Sequence, residues 1–197
     1  MAIDSYMSFL QSDGSTYLQG ESQVQITADS PLGTDIKVGY VFEIDDFSFD
    51  VEQVLNIGSQ SSGAGAGKIT FNPYQITRKT DRASPILFQM CCSGMHFQQV
   101  SLFLRRAGGA TTGATIASGT TFLRFDFALV AVATISWSGA DGDEACKEEV
   151  TFQYGALQIR YQQQDVTGLA KGGPIPGSWN RVNNVGAYPP NGKLIAT

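Results

Sequence analysis

The chain has 197 residues, of which 42% are hydrophobic and 16% charged, with a formal net charge of -5. Such a length fits one main domain with a substantial core, and so sparse a charge excludes a disordered chain. The mean hydropathy is -0.07, and the longest apolar stretch, Phe125 to Trp137, is interrupted by Asp126, Thr134 and Ser136; a membrane span needs ~18 uninterrupted apolar residues. An isoelectric point near 4.7 argues against general electrostatic binding of nucleic acid. The N-terminal stretch has no basic region and carries Asp4, so no signal peptide is expected. Three cysteines cannot form a fully paired disulfide framework, which suits a reducing compartment. Cys91, Cys92, Cys146 and the single histidine, His96, lack the spaced cysteine pair of a zinc site. No metal or cofactor is expected, and Cys91 and Cys92 read as buried helix residues.

The 22 glycines and 7 prolines separate short alternating apolar runs, the pattern of an all-β sandwich or barrel. Tyr6 to Leu18 reads as two strands around a Ser12-Asp13-Gly14 turn. Val24 and Ile26 alternate, and Asp29 to Gly33 is a loop. From Lys37 to Val51 the apolar phase slips: Val38, Tyr40, Phe42 and Ile44 share one parity, Phe47, Phe49 and Val51 the other. A bulge or bend at Asp45-Asp46 would keep both sets on the core. Residues 52–67, centred on the Gly/Ser/Ala-rich run Asn56–Gly67, read as a long exposed loop. Strand character returns from Lys68 to Thr77, broken at Pro73.

One helix is expected over about 85–93, with Ser84 as N-cap, Pro85 at the first position and Gly94 as the stop. Val100, Leu102 and Leu104 then alternate up to Arg105-Arg106, and Ala107–Gly119 is a Gly/Thr/Ala loop. Every odd position from Leu123 to Trp137 is apolar, which predicts one long strand or two meeting at a bend. Ser138 to Glu149 reads as an acidic turn. Val150, Phe152 and Tyr154 share one parity and Leu157, Ile159 and Tyr161 the other, with the slip at Gly155-Ala156 suited to a bulge. Two such slips favour a curved, closed or partly closed antiparallel β-barrel of two curved sheets with one flanking helix. The domain spans residues 1–164; 165–197 is a Gly/Pro-rich arm or tail.

Catalytic motifs are weak. Gly63 to Lys68 is one residue short of a P-loop, Lys68 is followed by Ile69, and a strand pattern follows where a helix is needed. His96 lies near Cys92 in sequence, but no orienting acid or G-x-S-x-G elbow is identifiable. Adjacent carboxylates at Asp45-Asp46 and Glu148-Glu149 point to opposite strand faces, so neither pair converges on a substrate; they read as a solvated turn or a subunit contact. Charge is segregated along the chain. Glu43, Asp45, Asp46, Asp50 and Glu52 are acidic, whereas Arg78, Lys79, Arg82, Arg105 and Arg106 are basic. In an oligomer such patches suit heterologous, head-to-tail contact. A small monomeric β-barrel that binds a ligand or acts as a hydrolase is the alternative of another class; it requires a convergent polar pocket.

The pieces Gly67-Lys68-Ile69-Thr70-Phe71, Asp81 to Leu87 with Ser84-Pro85, Cys91-Cys92-Ser93-Gly94-Met95-His96 and Leu104-Arg105-Arg106-Ala107-Gly108-Gly109 resemble, in order and spacing, the haemolysin-coregulated (Hcp) family of type VI secretion tube proteins. The resemblance covers roughly residues 1–164. It implies hexameric rings that stack into a hollow tube, are expelled by a contractile sheath behind a spike, and carry effectors in the lumen. It also implies assembly in the bacterial cytoplasm and secretion without a signal peptide. A phage-like tail tube is the physically similar alternative. The Asn56–Gly67 loop and the arm look long for the family, and Arg106 stands where lysine is common. Candidate subunit-contact residues are Asp45, Asp46, Asp50, Arg78, Lys79, Arg82, Arg105, Arg106 and, on the arm, Trp179, which with Tyr188 is expected to dock on a neighbouring subunit. The arm is shorter than the ~50 residues of the smallest usual domain, too short for an enzymatic effector.

Overall fold

The computed structural model describes residues 3–28, 31–55, 66–106, 120–142, 145–165 and 170–189. The centre of the Asn56–Gly67 loop and the Ala107–Gly119 loop fall outside these residues. The longest strands run where alternation is strongest: β1 (Ile3–Gln11), β7 (His96–Arg106), β8 (Thr120–Ser138) and β9 (Lys147–Tyr161). Between β1 and β7 lie β2 (Phe42–Glu43), β3 (Asp46–Ser48), β4 (Val51–Leu55), β5 (Ala66–Phe71), β6 (Tyr74–Lys79) and the helix α1 (Ser84–Ser93). A late strand, β10 (Ile175–Asn180), lies in the arm.

All pairings are antiparallel, in the order β2-β1-β7-β8-β9-β6-β3, with β10 also on β9; β4 and β5 form a separate hairpin. The sheet curls strongly into a half-barrel. Its two end strands, β2 and β3, are consecutive pieces of one segment. Ile44 donates its N–H to Ser5 O on the β1 side, and Asp45 donates to Thr77 O on the β6 side. The phase slip read at Asp45-Asp46 is therefore a strand corner, one residue earlier than expected, that joins the two ends of the curl.

The main core gathers Met7, Phe9, Phe42, Tyr74, Ile76, Leu87, Phe97, Phe127, Val150 and Phe152 inside the curl. Tyr74 and Phe127 rings lie 4.6 Å apart and Phe9 meets Phe42 edge-on at 5.1 Å. Across the three central strands the core-facing parity switches at one level. The switch falls between Phe97 and Val100 on β7, Phe127 and Val130 on β8, and Tyr154 and Leu157 on β9. No extra residue is inserted at Gly155-Ala156: the register is the same at Ala128–Ala156 and Val130–Tyr154, and only the Leu129–Gly155 pair between them is missing. Leu129 instead takes a left-handed conformation, φ 51°, at this level. The register shift of the β8–β9 pair comes later, between Val132 and Thr134. Thus β8 is one strand; its odd positions leave the core after Phe127, where Val130 and Val132 take over, and return at Ile135 after the register shift.

The helix starts one residue earlier than expected. Ala83, not Ser84, is the N-cap, and no side chain caps the helix. The Ser84 hydroxyl accepts instead from the backbone N–H of Asp81 (3.2 Å) and from Arg78 (3.1 Å). Gly94 closes the helix in a left-handed conformation, φ 68°, with its N–H on Met90 O. Cys92 and Cys146 are exposed and Cys91 only partly buried, contrary to the buried reading of the helix pair.

Two assignments in the loops and arm change. Residues 52–55 and 66–67 are hairpin strands of β4 and β5, not loop. The arm is not free of strand: β10 pairs with β9 from Ile175–Tyr161 to Asn180–Ala156. It takes up the β9 edge where β6, paired from Lys147 to Phe152, leaves off.

Candidate subunit-contact surface

The corner at Ile44-Asp45 opens a cleft of about 340 Å³ lined by Glu21, Glu43, Asp45, Arg78, Lys79 and Asp81 among others. β2 and β3 bring Glu43 and Asp45 to its rim from one side, and β6 brings Arg78 and Lys79 from the other. Strand alternation then separates the two cations. Lys79 points out and is exposed, whereas Arg78 continues the inward row of Tyr74 and Ile76 and is 1% exposed. Opposite it in register, Glu148 continues the inward row of Val150 and Phe152 and is 0% exposed. Arg78 Nε donates to Glu148 Oε1 at 2.7 Å, and Nη2 donates to Asp81 Oδ1 at 2.9 Å. Glu148 Oε2 accepts from Trp137 Nε1 at 2.8 Å. This pair closes one end of the core. Arg78 is therefore unavailable to a partner, and Glu148 is neither a solvated turn nor a subunit contact. Parity with the flanking apolar residues carried that signal.

The remaining candidates divide by exposure. Asp45, Asp46, Asp50, Lys79, Arg82 and Arg106 are exposed. Asp46 accepts from the N–H of Phe47, and Asp50 accepts from Asn72 Nδ2 at 2.5 Å. Arg82 donates its backbone N–H to Glu21 Oε1, which ties the helix entry to the cleft rim. Arg106 lies at the far end of β7, its guanidinium 4.1 Å from the centre of the Phe122 ring. Burial, then the carboxylates of Asp4 and Glu43, push the Tyr6 phenol up, marking the negative field along this edge. Arg105 is a second correction: it is 6% exposed and donates to Gln25 O at 3.3 Å, inside the fold. Trp179 packs, partly buried, against the main core of its own chain.

Sequence reasoning missed a second buried polar group, on the opposite sheet face. Asp126 accepts from Arg124 Nε (2.8 Å), Arg160 Nη2 (2.6 Å), Ser101 Oγ (2.6 Å) and Gln99 Nε2 (3.0 Å). Residues 17–28 and 31–41 cover this face, packing Ile26, Ile36 and Val41 with Phe103, while Leu32 O accepts from Arg124. Tyr188 of the arm lies in the field of the same charges. Among the described residues no three of His, Cys, Asp and Glu gather as a metal site. Nor is any helix long and apolar enough to cross a membrane.

Residues 9–161 match the family described as "Type VI secretion system effector, Hcp". The chain is 33% identical over 120 residues to Protein hcp1 of Pseudomonas aeruginosa, covering 61% of this chain and 70% of that one. It superposes on a structure described as that of a type six secretion system protein with a TM-score of 0.73 and 25% identity, covering 93% of this chain and 99% of the other. Hcp1 from Salmonella typhimurium gives a TM-score of 0.61 at 26% identity, with 94% and 99% covered. The curled sheet, single helix and family match lead to one conclusion: the chain belongs to the Hcp family of secreted type VI secretion tube proteins.

Proposed function

We propose that this protein acts as a non-catalytic tube subunit: six copies close a ring, rings stack into a hollow tube, and the lumen carries effectors. The family match over residues 9–161 is the observation that carries this reading. Exposed charge is available for such contacts. Glu43, Asp45 and Asp46 stand at the corner beside Lys79 and Arg82, and Arg106 lies at the end of β7. Charged rims of both signs can steer and register a heterologous contact, the kind that closes rings or builds filaments. The protein's partners are then further copies of itself and the sheath, spike and effector proteins of the apparatus, with no nucleic acid or membrane insertion. It assembles in the bacterial cytoplasm and leaves through the apparatus. Light scattering on a sizing column, with negative-stain imaging of the peak, tests the reading. Ring-shaped particles of six times the 21.1 kDa chain mass are expected. A clean monomer at micromolar concentration overturns it.

A further inference from the structure

We propose that the β9 edge from Ala156 to Tyr161 is a strand-exchange site, at which the arm of a second copy takes the place of the chain's own β10. Without β10 this half of β9 presents unpaired backbone donors and acceptors, a ready template for an added strand. Among the described residues β10 pairs with this edge and with no other strand. Ile175, Pro176 and Gly177 are exposed, and Pro176 has no N–H to give.

The seam is poorly satisfied. Trp179 Nε1 and Tyr188 Oη on the arm are buried with no hydrogen-bond partner among the described residues. So are Tyr154 Oη, Arg160 Nε and Gln162 Oε1 on and just beyond β9. Buried polar atoms are normally paired, so a seam that concentrates orphans is weakly committed to its present closure.

The occupant is a second copy because Lys171 and Gly172 stay tied to Gln162 and Gln163, whereas from β10 onward the arm's contacts with the rest of the chain end on residues before 162. The strand register is one such contact. Another is Arg181, which donates to Tyr154 O at 2.8 Å and places its guanidinium 5.2 Å from the Phe71 ring centre. An arm arriving from another subunit reproduces these contacts, so exchange costs little contact energy. A pivot precedes the strand: Gly172 has φ 73°, and neither it nor Gly173 has any atom near where a Cβ would sit. The proposal rests on the reading that copies of this chain associate.

Cysteine trapping tests it. In a background with Cys91, Cys92 and Cys146 replaced by serine, Gln158 and Ser178, which face each other across the seam, are replaced singly by cysteine in two chains of different tag length. The double variant Q158C/S178C in one dilute chain establishes that the pair oxidises. The two single variants are then mixed at assembling concentration and oxidised. Exchange predicts a covalent heterodimer on a non-reducing gel. No heterodimer, with the double variant closing internally at every concentration, overturns the proposal. Light scattering on the same mixture separates the two readings: rings without heterodimer overturn exchange alone, and monomers without heterodimer overturn both.

Discussion

Glu148 gives the sharpest test of how this fold is held together. Its carboxylate is fully buried between Arg78 Nε at 2.7 Å and Trp137 Nε1 at 2.8 Å. Glu148→Ala leaves the Arg78 guanidinium inside the core with only Asp81 and Ser84 as acceptors. Removing one partner of a buried ion pair costs about 3–5 kcal/mol when the remaining charge is uncompensated; Asp81 still pairs with Arg78, so the loss is expected at the lower end, about 3 kcal/mol. In a chain of this size that lowers the melting temperature by roughly 10 °C. Glu148→Gln keeps an acceptor for Trp137 and should lose less. The double variant Arg78→Met/Glu148→Leu removes both charges and should recover most of the loss, since matched apolar replacements of buried pairs are often neutral. Guanidinium unfolding followed by tryptophan fluorescence measures these proteins, and the single variants Arg78→Met and Glu148→Leu complete the cycle that yields the coupling energy. A loss below about 1 kcal/mol for Glu148→Ala, the range of an exposed pair, would refute the buried-clamp argument.

Four further outcomes are expected. Burial pushes the Tyr154 phenol up to about 12 and Tyr74 well above its usual value. The unfolded chain then loses these protons near pH 10 while the folded chain keeps them. Stability should hold below pH 10 and fall as pH rises toward 12, as read from unfolding midpoints across pH 8–12. Tyr154→Phe removes a hydroxyl with no partner among the described residues; it should be neutral or stabilising at pH 8 and shallower in its alkaline loss, whereas a clear destabilisation at pH 8 would mean that the hydroxyl is bonded. Gly94→Ala forces a Cβ into the left-handed helix stop and should cost about 1 kcal/mol in denaturant unfolding although no neighbour obstructs the Cβ. Asp45→Lys with Asp46→Lys should abolish rings by light scattering while leaving the monomer folded by circular dichroism; intact rings would place the contact elsewhere.

Alternation made the inward rows legible: Met7 and Phe9, Val100 to Leu104, and Val150 to Tyr154 all lie on the core. The slip after Ile44 pointed to the corner, because apolar residues can return to one core across a phase change only if the backbone turns there. The helix stop at Gly94 was legible for a similarly local reason, as glycine readily supplies the left-handed residue. The Hcp resemblance, carried by spaced motifs, matched the family found over 9–161. Arg78 and Glu148 could have been placed by extending the apolar parity one step, but their charge suggested the surface.

The remaining features lay beyond local pattern. Odd-position alternation on β8 continues unbroken in the sequence, yet the core turns to Val130 and Val132 before returning to Ile135, because all three central strands switch face at one level and only their neighbours define that level. Arg124 and Asp126 sit on what alternation marks as the solvent side; residues 17–28 and 31–41, brought over them by the tertiary fold, make that side a second interior. The arm has no alternation to read, since its pairing to β9 uses backbone groups common to almost every residue. Composition, periodicity and helix-stop chemistry act over a few residues and can be read along the chain. Which strand edges meet, which polar face is covered and which charges are buried depend on residues far apart in the chain, so they exist only once the sheet has curled.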